Sequence, residues 1–404
     1  MKIAIIGGGA AGFFAAIQAS GPGRSVTIFE KSSKILSKVK VSGGGRCNVT
    51  HRPMEVSKLV KNYPRGEKFL KKVFSKFDSN DTIDWFEKRG VALKIEADGR
   101  MFPVTDDSQT VIDCLQREVT KLNIELLKSH AILEIEILDS GYNLKTNHGD
   151  FAVDQIVVTT GGFPKTESYS FLKSLNHNIV DPIPSLFTFN TPRESLKELM
   201  GISVKNGLVK IAGTKLSYQG PILITHWGVS GPAVLKLSAF GAKWLFDQQY
   251  QAAALINWNG NLGELEYLEN LQSYAVNHPN RKVVTNPLFE IPARLWGHFC
   301  EKAEIVIEQT YASLSKKQLN KLVQNLFCYN LKVEGKTTFK EEFVTAGGIS
   351  LDQINPDTME SKIHPNLYFA GEVLDIDGIT GGFNFQAAWS TGFLAGKSTH
   401  NSDL

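Results

Sequence analysis

An unbroken apolar run, "KIAII" at residues 2–6, opens the chain, and runs of this kind belong to strands buried on both faces of a parallel sheet. "SVTIFE" at 25–30, "FAVDQIVVTT" at 151–160 and "NLYFAGE" at 366–372 repeat the pattern. Helical spacing follows the first and the last of these, so Ala10–Ala19 and a segment starting near Asn384 are predicted helices. "IELLKSHAILEIEIL" at 124–138 is strand-like too, and with 151–162 it brackets a turn at "NHGD", a hairpin that returns the chain to the sheet. After "DPIPSLFTF" the pattern changes. Short alternating stretches such as "GLVKIAGTKLSYQGPILITH" fill 188–258 and suit a small β-barrel or sandwich, whereas 262–327 has helical spacing, with Ser315 as the N-cap of "SKKQLNKLVQNLF". "YNLKVEGKTTF" at 329–339 is strand-like again, and "EEFVTAGGISLDQI" resumes the outer pattern. A helical piece is thus nested in a β piece, itself inserted in an α/β domain.

Glycines stand where the apolar strands end. Gly7, Gly9 and Gly12 fall at G-x-G-x-x-G spacing between the first strand and its helix, where they permit a tight turn, close approach of a pyrophosphate and close helix–strand packing. The helix N-terminus faces the phosphates. Glu30 closes the second strand, placed to accept both hydroxyls of an adenosine ribose and to disfavour a 2′-phosphate. "KSSKILSKVKVSGGGRCNVT" at 31–50 then carries Gly43–Gly45, which reads as a backbone cradle for a pyrophosphate or a flavin edge, or else as a surface loop. Arg46 and Asn48 are candidates to bond ligand oxygens. Cys47, with no resolving cysteine nearby, reads as a small buried spacer rather than a redox thiol. Thr160, Gly161 and Gly162 let a cofactor pass a strand end closely, although an ordinary turn has the same look. At the far end of the chain, Gly371 and Glu372 close "NLYFAGE", and a carboxylate there can hold a hydroxyl of a ribityl chain, which FAD has and NAD lacks. A helix starting near Asn384 can turn its positive end to the flavin pyrimidine, and Gly392 and Gly396, one turn apart, suit close helix packing.

Charge and cysteine content narrow the setting. Lys plus Arg is 44 against 41 for Asp plus Glu, a near balance that gives no electrostatic sign of a nucleic-acid partner. The four cysteines are dispersed, without CxxC or metal-ligand spacing, so no zinc site or dithiol is expected. No apolar run approaches the length of a membrane span and the start lacks signal-peptide grammar, so a cytoplasmic protein without membrane attachment is expected.

"GGGAAG", "SGGGRCNVT", "ITHWGVSGPAVLKLS" at 224–238, "VTAGGISLDQINPDTMESK" at 344–362 and "LYFAGEVLDIDGITGGFNFQAAWSTG" together resemble the bacterial FAD-dependent oxidoreductases of the BaiN and aminoacetone oxidase family, within the two-dinucleotide-binding-domain flavoproteins. The resemblance spans essentially the whole chain. It implies an α/β fold: an interrupted Rossmann-like FAD-binding domain at 1–187 and 341–404, an inserted β-barrel substrate domain at 188–260 and 328–340, and a helical subdomain at 261–327. Non-covalent FAD would be met by Gly7, Gly9, Ala10, Ala11, Gly12, Glu30, Lys31, Ser42, Gly43, Gly44, Gly45, Arg46, Cys47, Asn48, Ile132, Thr160, Gly161, Gly162, Gly371, Glu372, Gly381, Gly382, Phe383 and Asn384.

The expected reaction is hydride transfer between FAD and a small organic substrate, either amine or amino-ketone oxidation or enone reduction, with O2 or NAD(P)H as partner. No second strand-G-x-G-x-x-G unit is present, so NADPH or NADH would visit only transiently. "GVSGP" departs from the nucleophile elbow at Pro232, which rejects a serine hydrolase; Pro232 suits the first turn of a helix instead. His226 is a candidate proton donor, or else a hydrogen-bonded residue of a domain-junction cap. The rival function is a flavin-bound RNA-associated or sensory protein, which a basic, aromatic-studded face would favour. Oligomeric state is left open.

Overall fold

A computed structural model describes residues 1–337 and 344–400. The expected boundary between 340 and 341 and the last residues, 401–404, lie outside the described residues. Two compact units are present, one formed by 1–185 with 344–400, the other by 186–337.

The larger unit is built on a five-stranded parallel sheet in the order Leu367–Phe369, Gln155–Val158, Lys2–Ile6, Ser25–Glu30, Glu125–Lys128. The last strand of the chain therefore lies one place from the first, and the two apolar ends of the sequence share one core. Ile3 to Ile6, Ile156 to Val158 and Leu367 to Phe369 are all buried, which is why these strands show no alternation. The opening helix Ala10–Ala19 lies against the closing helix Phe383–Ser398. Glycine makes this crossing possible: a Cβ at Gly392 would stand 2.6 Å from the Ala11 carbonyl oxygen, and one at Gly396 would stand 2.2 Å from that of Ala15.

Residues 124–153 resolve differently from the expected single hairpin. Glu125–Lys128 joins the parallel sheet, and Ile132–Ile137, Tyr142–Thr146 and Gly149–Val153 form a separate antiparallel sheet. "NHGD" does turn between the last two of these strands. His130 breaks the long run, because Ser129 adopts a left-handed φ of 60° and ends the first strand.

In the smaller unit the expected barrel is corrected. Its seven strands form an open antiparallel ladder, with Tyr329–Glu334 at one edge and Lys336–Thr337 at the other. Only Gly335 separates these edge strands in the chain, so the sheet is strongly coiled, but its hydrogen bonding is not closed among the described residues. Two helices within 188–258, Pro232–Phe240 and Ala242–Asp247, interrupt the strands. Pro232 occupies the first turn of the former, as its fixed φ and missing N–H favour. The nested helices Glu264–Asn277, Ala293–Lys302 and Lys316–Phe327 pack Trp296, Phe299 and Leu322 into this unit's core, and Ser315 caps the last through the Gln318 amide.

Candidate functional site

The first strand ends in the fingerprint turn. Gly7 has φ +115°, and a Cβ there would strike the Thr159 carbonyl oxygen at 2.6 Å; one at Gly12 would stand 1.9 Å from the Gly7 oxygen. Both glycines therefore serve protein packing. Gly9 differs: nothing lies within 4 Å of where its Cβ would be, so its backbone faces open space at the N-terminus of the helix that Ala10 and Ala11 begin. Thr159, which the sequence reading passed over, ties the neighbouring strand end to this turn, its hydroxyl donating to the Ile6 and Gly7 carbonyls at 3.0 Å each. Glu30 braces the loop by accepting from the Gly8 N–H at 2.9 Å and the Ser32 N–H at 2.8 Å. Lys31 places its ammonium 5.0 Å from the centre of the Phe163 ring, and Ile132 starts a strand just beyond His130, whose N–H bonds the Glu30 carbonyl.

The glycine run 43–45 caps a short helix, Ser37–Gly45, that loses helical geometry at Ser42, Gly43 and Gly44. Gly43, Gly44 and Gly45 all have positive φ, and nothing lies within 4 Å of a Cβ at Gly44, Gly45 or Gly161. Successive left-handed glycines with open space before them form a concave set of backbone amides. This is a cradle that side chains would fill, and it fits a dinucleotide.

Segment 46–51 then crosses the start of the closing helix. Asn48 accepts from the Gly382 N–H at 2.8 Å and donates to the Thr50 carbonyl at 3.0 Å. A Cβ at Gly382 would be 2.5 Å from Thr50 backbone, and Trp389 donates through its indole N–H to the Val49 carbonyl at 2.9 Å. Thr50 also bonds Gln386 at 2.5 Å, and the Tyr63 hydroxyl bonds the Phe383 carbonyl at 2.7 Å. None of Thr50, Tyr63, Gln386 and Trp389 carries a local motif; the crossing is visible only in space. His51 is likewise unforeseen: its ring stacks on Phe383 at 4.9 Å, Nδ1 is buried without a partner among the described residues, and burial lowers its pKa.

Three of the expected ligand-contacting residues also have partners within the protein. Arg46 pairs with Glu96 at 2.6 Å and lies over Phe102 at 4.0 Å. Asn384 holds Gly378 at both ends, 2.8 Å each way. Glu372 accepts from the Thr345 N–H at 2.9 Å and from Lys38 at 2.6 Å, and a Cβ at Gly162 would lie 3.2 Å from its side chain. The structure thus brings Gly162, Glu372 and Gly371 together at the adjacent strand ends. A buried ion pair between Arg65 and Asp377, with the Ser185 hydroxyl on Asp377 at 2.6 Å, anchors the loop before Gly381.

Cys47 sits in the cradle with φ +63° and no exposed surface, and burial pushes its thiol up to about 12. Burial thus disfavours the thiolate, the form that attacks or exchanges electrons. A Cys47→Ser variant is expected to retain FAD and most of its turnover. Loss of turnover with FAD still bound would show that the thiol takes part in the chemistry.

His226 belongs to the smaller unit, exposed on a turn. Ser230 ends a short strand, Gly228–Ser230, that does lead into the helix at Pro232; its buried hydroxyl is bonded to Thr188 at 3.1 Å. No described helix is long and apolar enough to cross a membrane.

Strand ends from both termini, joined around one open glycine cradle, define a flavin-type dinucleotide site. The chain belongs to the family of the HI0933-like protein Rossmann domain, whose profile matches residues 1–398, and it is an FAD-dependent oxidoreductase. It is 29% identical to the ribosomal RNA dihydrouridine synthase of Escherichia coli, over 97% of this chain and 96% of that protein. It is 26% identical to the 3-dehydro-bile acid delta(4,6)-reductase of Clostridium scindens, over 98% of both chains. Its fold is similar to a 3-ketosteroid-delta4-(5alpha)-dehydrogenase from Rhodococcus jostii RHA1, with a TM-score of 0.51 and 14% identity over 98% of this chain and 96% of that one.

Proposed function

We propose that this enzyme is a reductase that adds a hydride and a proton across a carbon–carbon double bond conjugated to a carbonyl, with the uracil ring of an RNA as its preferred substrate. The observation that carries the redox reading is the open cradle at Gly9, Gly44, Gly45 and Gly161. Bound FAD supplies the two-electron carrier; the fingerprint glycines would hold its pyrophosphate, Glu30 its adenosine ribose, and the closing helix N-terminus at Gly382 and Phe383 its pyrimidine edge. The relatives support the choice of bond. One is named for making dihydrouridine and the other for a bile-acid double bond, and uracil C5=C6 and a 3-oxo-4,6-diene are both activated by a carbonyl.

RNA is compatible with the charge distribution, although the whole-chain balance hides it. Between Leu186 and Phe339 Lys and Arg outnumber Asp and Glu, while in the rest of the chain the acids are in excess. His51 is the histidine of the cradle and a candidate to move the proton, its half-buried ring stacked on Phe383.

NADPH or NADH is the proposed electron source, visiting without a domain of its own. The test is anaerobic: bleach the flavin with NADPH or NADH, then add uridine-containing RNA or a steroid 4,6-dien-3-one. Reoxidation with one double bond saturated per flavin is expected. Flavin that stays bleached with both acceptors and is reoxidised only by O2 would refute the reductase reading.

A further inference from the structure

On the smaller unit, Thr225 and Gly228 close a tight hairpin turn, with N–H to carbonyl distances of 2.8 Å and 3.2 Å in the two directions. His226 and Trp227 form its tip. Their rings lie 4.4 Å apart at 45°, and Trp227 is 45% exposed, while the Thr225 hydroxyl accepts from the Trp227 N–H at 3.3 Å. Met200 and Leu223 are exposed beside it, since Gly201 bonds the Ile224 carbonyl at 2.9 Å and Ser203 pairs with Leu223. The Trp227 indole stands on a two-residue tip outside the buried core of this unit. It is a flat, pre-ordered surface.

The chain around this tip is rich in lysine, while the cleft directly beneath the tip carries both signs. No Asp or Glu occurs between Glu198 and Asp247, a stretch that includes Lys205, Lys210, Lys215, Lys236 and Lys243. Lys205 and Lys210 are exposed on the strand Ser203–Ile211 and Lys215 in the turn that follows, and none of these three has a carboxylate partner among the described residues. Lys243 is paired with Asp247, and the Lys236 ammonium lies over the Tyr218 ring. Beneath the tip, Arg193, Lys197, Glu194 and Glu198 line a shallow cleft of about 490 Å³ with His226. Arg193 pairs with Glu334 at 3.3 Å, and the Lys197 ammonium bonds the Pro192 carbonyl.

We infer that this face docks single-stranded RNA, a base stacking on Trp227 while Lys205 and Lys210 meet the backbone phosphates. Stacking platforms beside unpaired ammonium groups are how proteins hold unpaired strands, because every base has a π face and every linkage a charge. This rests on the proposed RNA substrate and adds the surface that presents it.

The experiment measures fluorescence anisotropy of a labelled 12-nucleotide oligouridylate against FAD-loaded full-length protein, across a salt series. Trp227→Ala is expected to weaken binding roughly tenfold, and Trp227→Phe to restore most of it. Lys205→Glu with Lys210→Glu is expected to lower the slope of log affinity against log salt by about 1 to 2. Unchanged visible spectra and melting temperatures would show that the variants are folded. Wild-type binding that survives all three substitutions would overturn the docking face and leave the reductase intact. No wild-type binding would overturn both the docking face and the RNA substrate, whereas the reductase itself stands or falls on flavin reoxidation by the steroid dienone. Binding of phosphatidylserine vesicles in place of RNA, lost in the same variants, would also overturn the inference and assign the face to a membrane surface.

Discussion

A Gly9→Val chain is expected to fold normally and to purify without colour. Gly9 has φ −95° and ψ −171°, extended backbone that any residue adopts, so valine introduces no strain. Its Cβ would also meet no protein atom within 4 Å. What valine occupies is the approach to the fingerprint amides, where a pyrophosphate must come within hydrogen-bonding distance of the backbone. Blocking that approach should weaken FAD binding by at least about 100-fold, about 3 kcal/mol. Absorbance near the flavin bands of the purified protein and its flavin-to-protein ratio measure this directly. The variant's denaturation midpoint should match that of wild-type apoprotein. A yellow, stoichiometrically loaded Gly9→Val protein would show that the cofactor does not lie on this turn.

Gly396→Val should fail in the opposite way, by losing the fold rather than only the cofactor. The new Cβ would stand 2.2 Å from the Ala15 carbonyl oxygen, a backbone atom of a helix whose inner residues Ala11, Phe13, Phe14, Ala15 and Ala16 are all buried. Neither helix can retreat. Phe14 packs on Trp389 at 4.7 Å and the latter's indole N–H is bonded to Val49, so separating the helices also opens an aromatic cluster and breaks a buried hydrogen bond. Overpacking of this severity should remove about 3 kcal/mol or more of stability. Urea denaturation would show it as a lowered midpoint, or expression would yield little soluble chain. FAD would be lost too, because the closing helix carries Gly382 and Phe383, but only together with structure. Retention of the wild-type midpoint would mean that the two helices do not cross where the structure places them. The pair of variants separates two kinds of glycine within one motif system: those that leave room for a ligand and those that leave room for the protein.

That division was partly legible beforehand. The sequence assigned Gly7 and Gly12 to a turn and to helix packing, and Gly392 and Gly396 to close packing, and these are the positions where a Cβ would strike backbone. Side-chain roles were harder to read. Arg46 and Asn384 are candidates for ligand oxygens, and the fold also gives each a protein partner that the local sequence does not show, Glu96 for Arg46, 50 residues on, and Gly378 for Asn384. A charged or amide group chooses among all partners within reach, and which partners are within reach is a property of the folded chain.

The sequence by itself determined the elements that depend on neighbours in the chain: the apolar strands, the fingerprint turn and the Ser315 cap. Each is signalled by local periodicity, φ preference or terminal amides seeking an acceptor. Tertiary structure alone decided that the last strand sits beside Gln155–Val158, that segment 46–51 threads over the closing helix, that the smaller sheet stays open at Gly335, and that Trp227 stands exposed on its turn. These are outcomes of long-range packing, in which contacts far apart in sequence compete for the same buried surface.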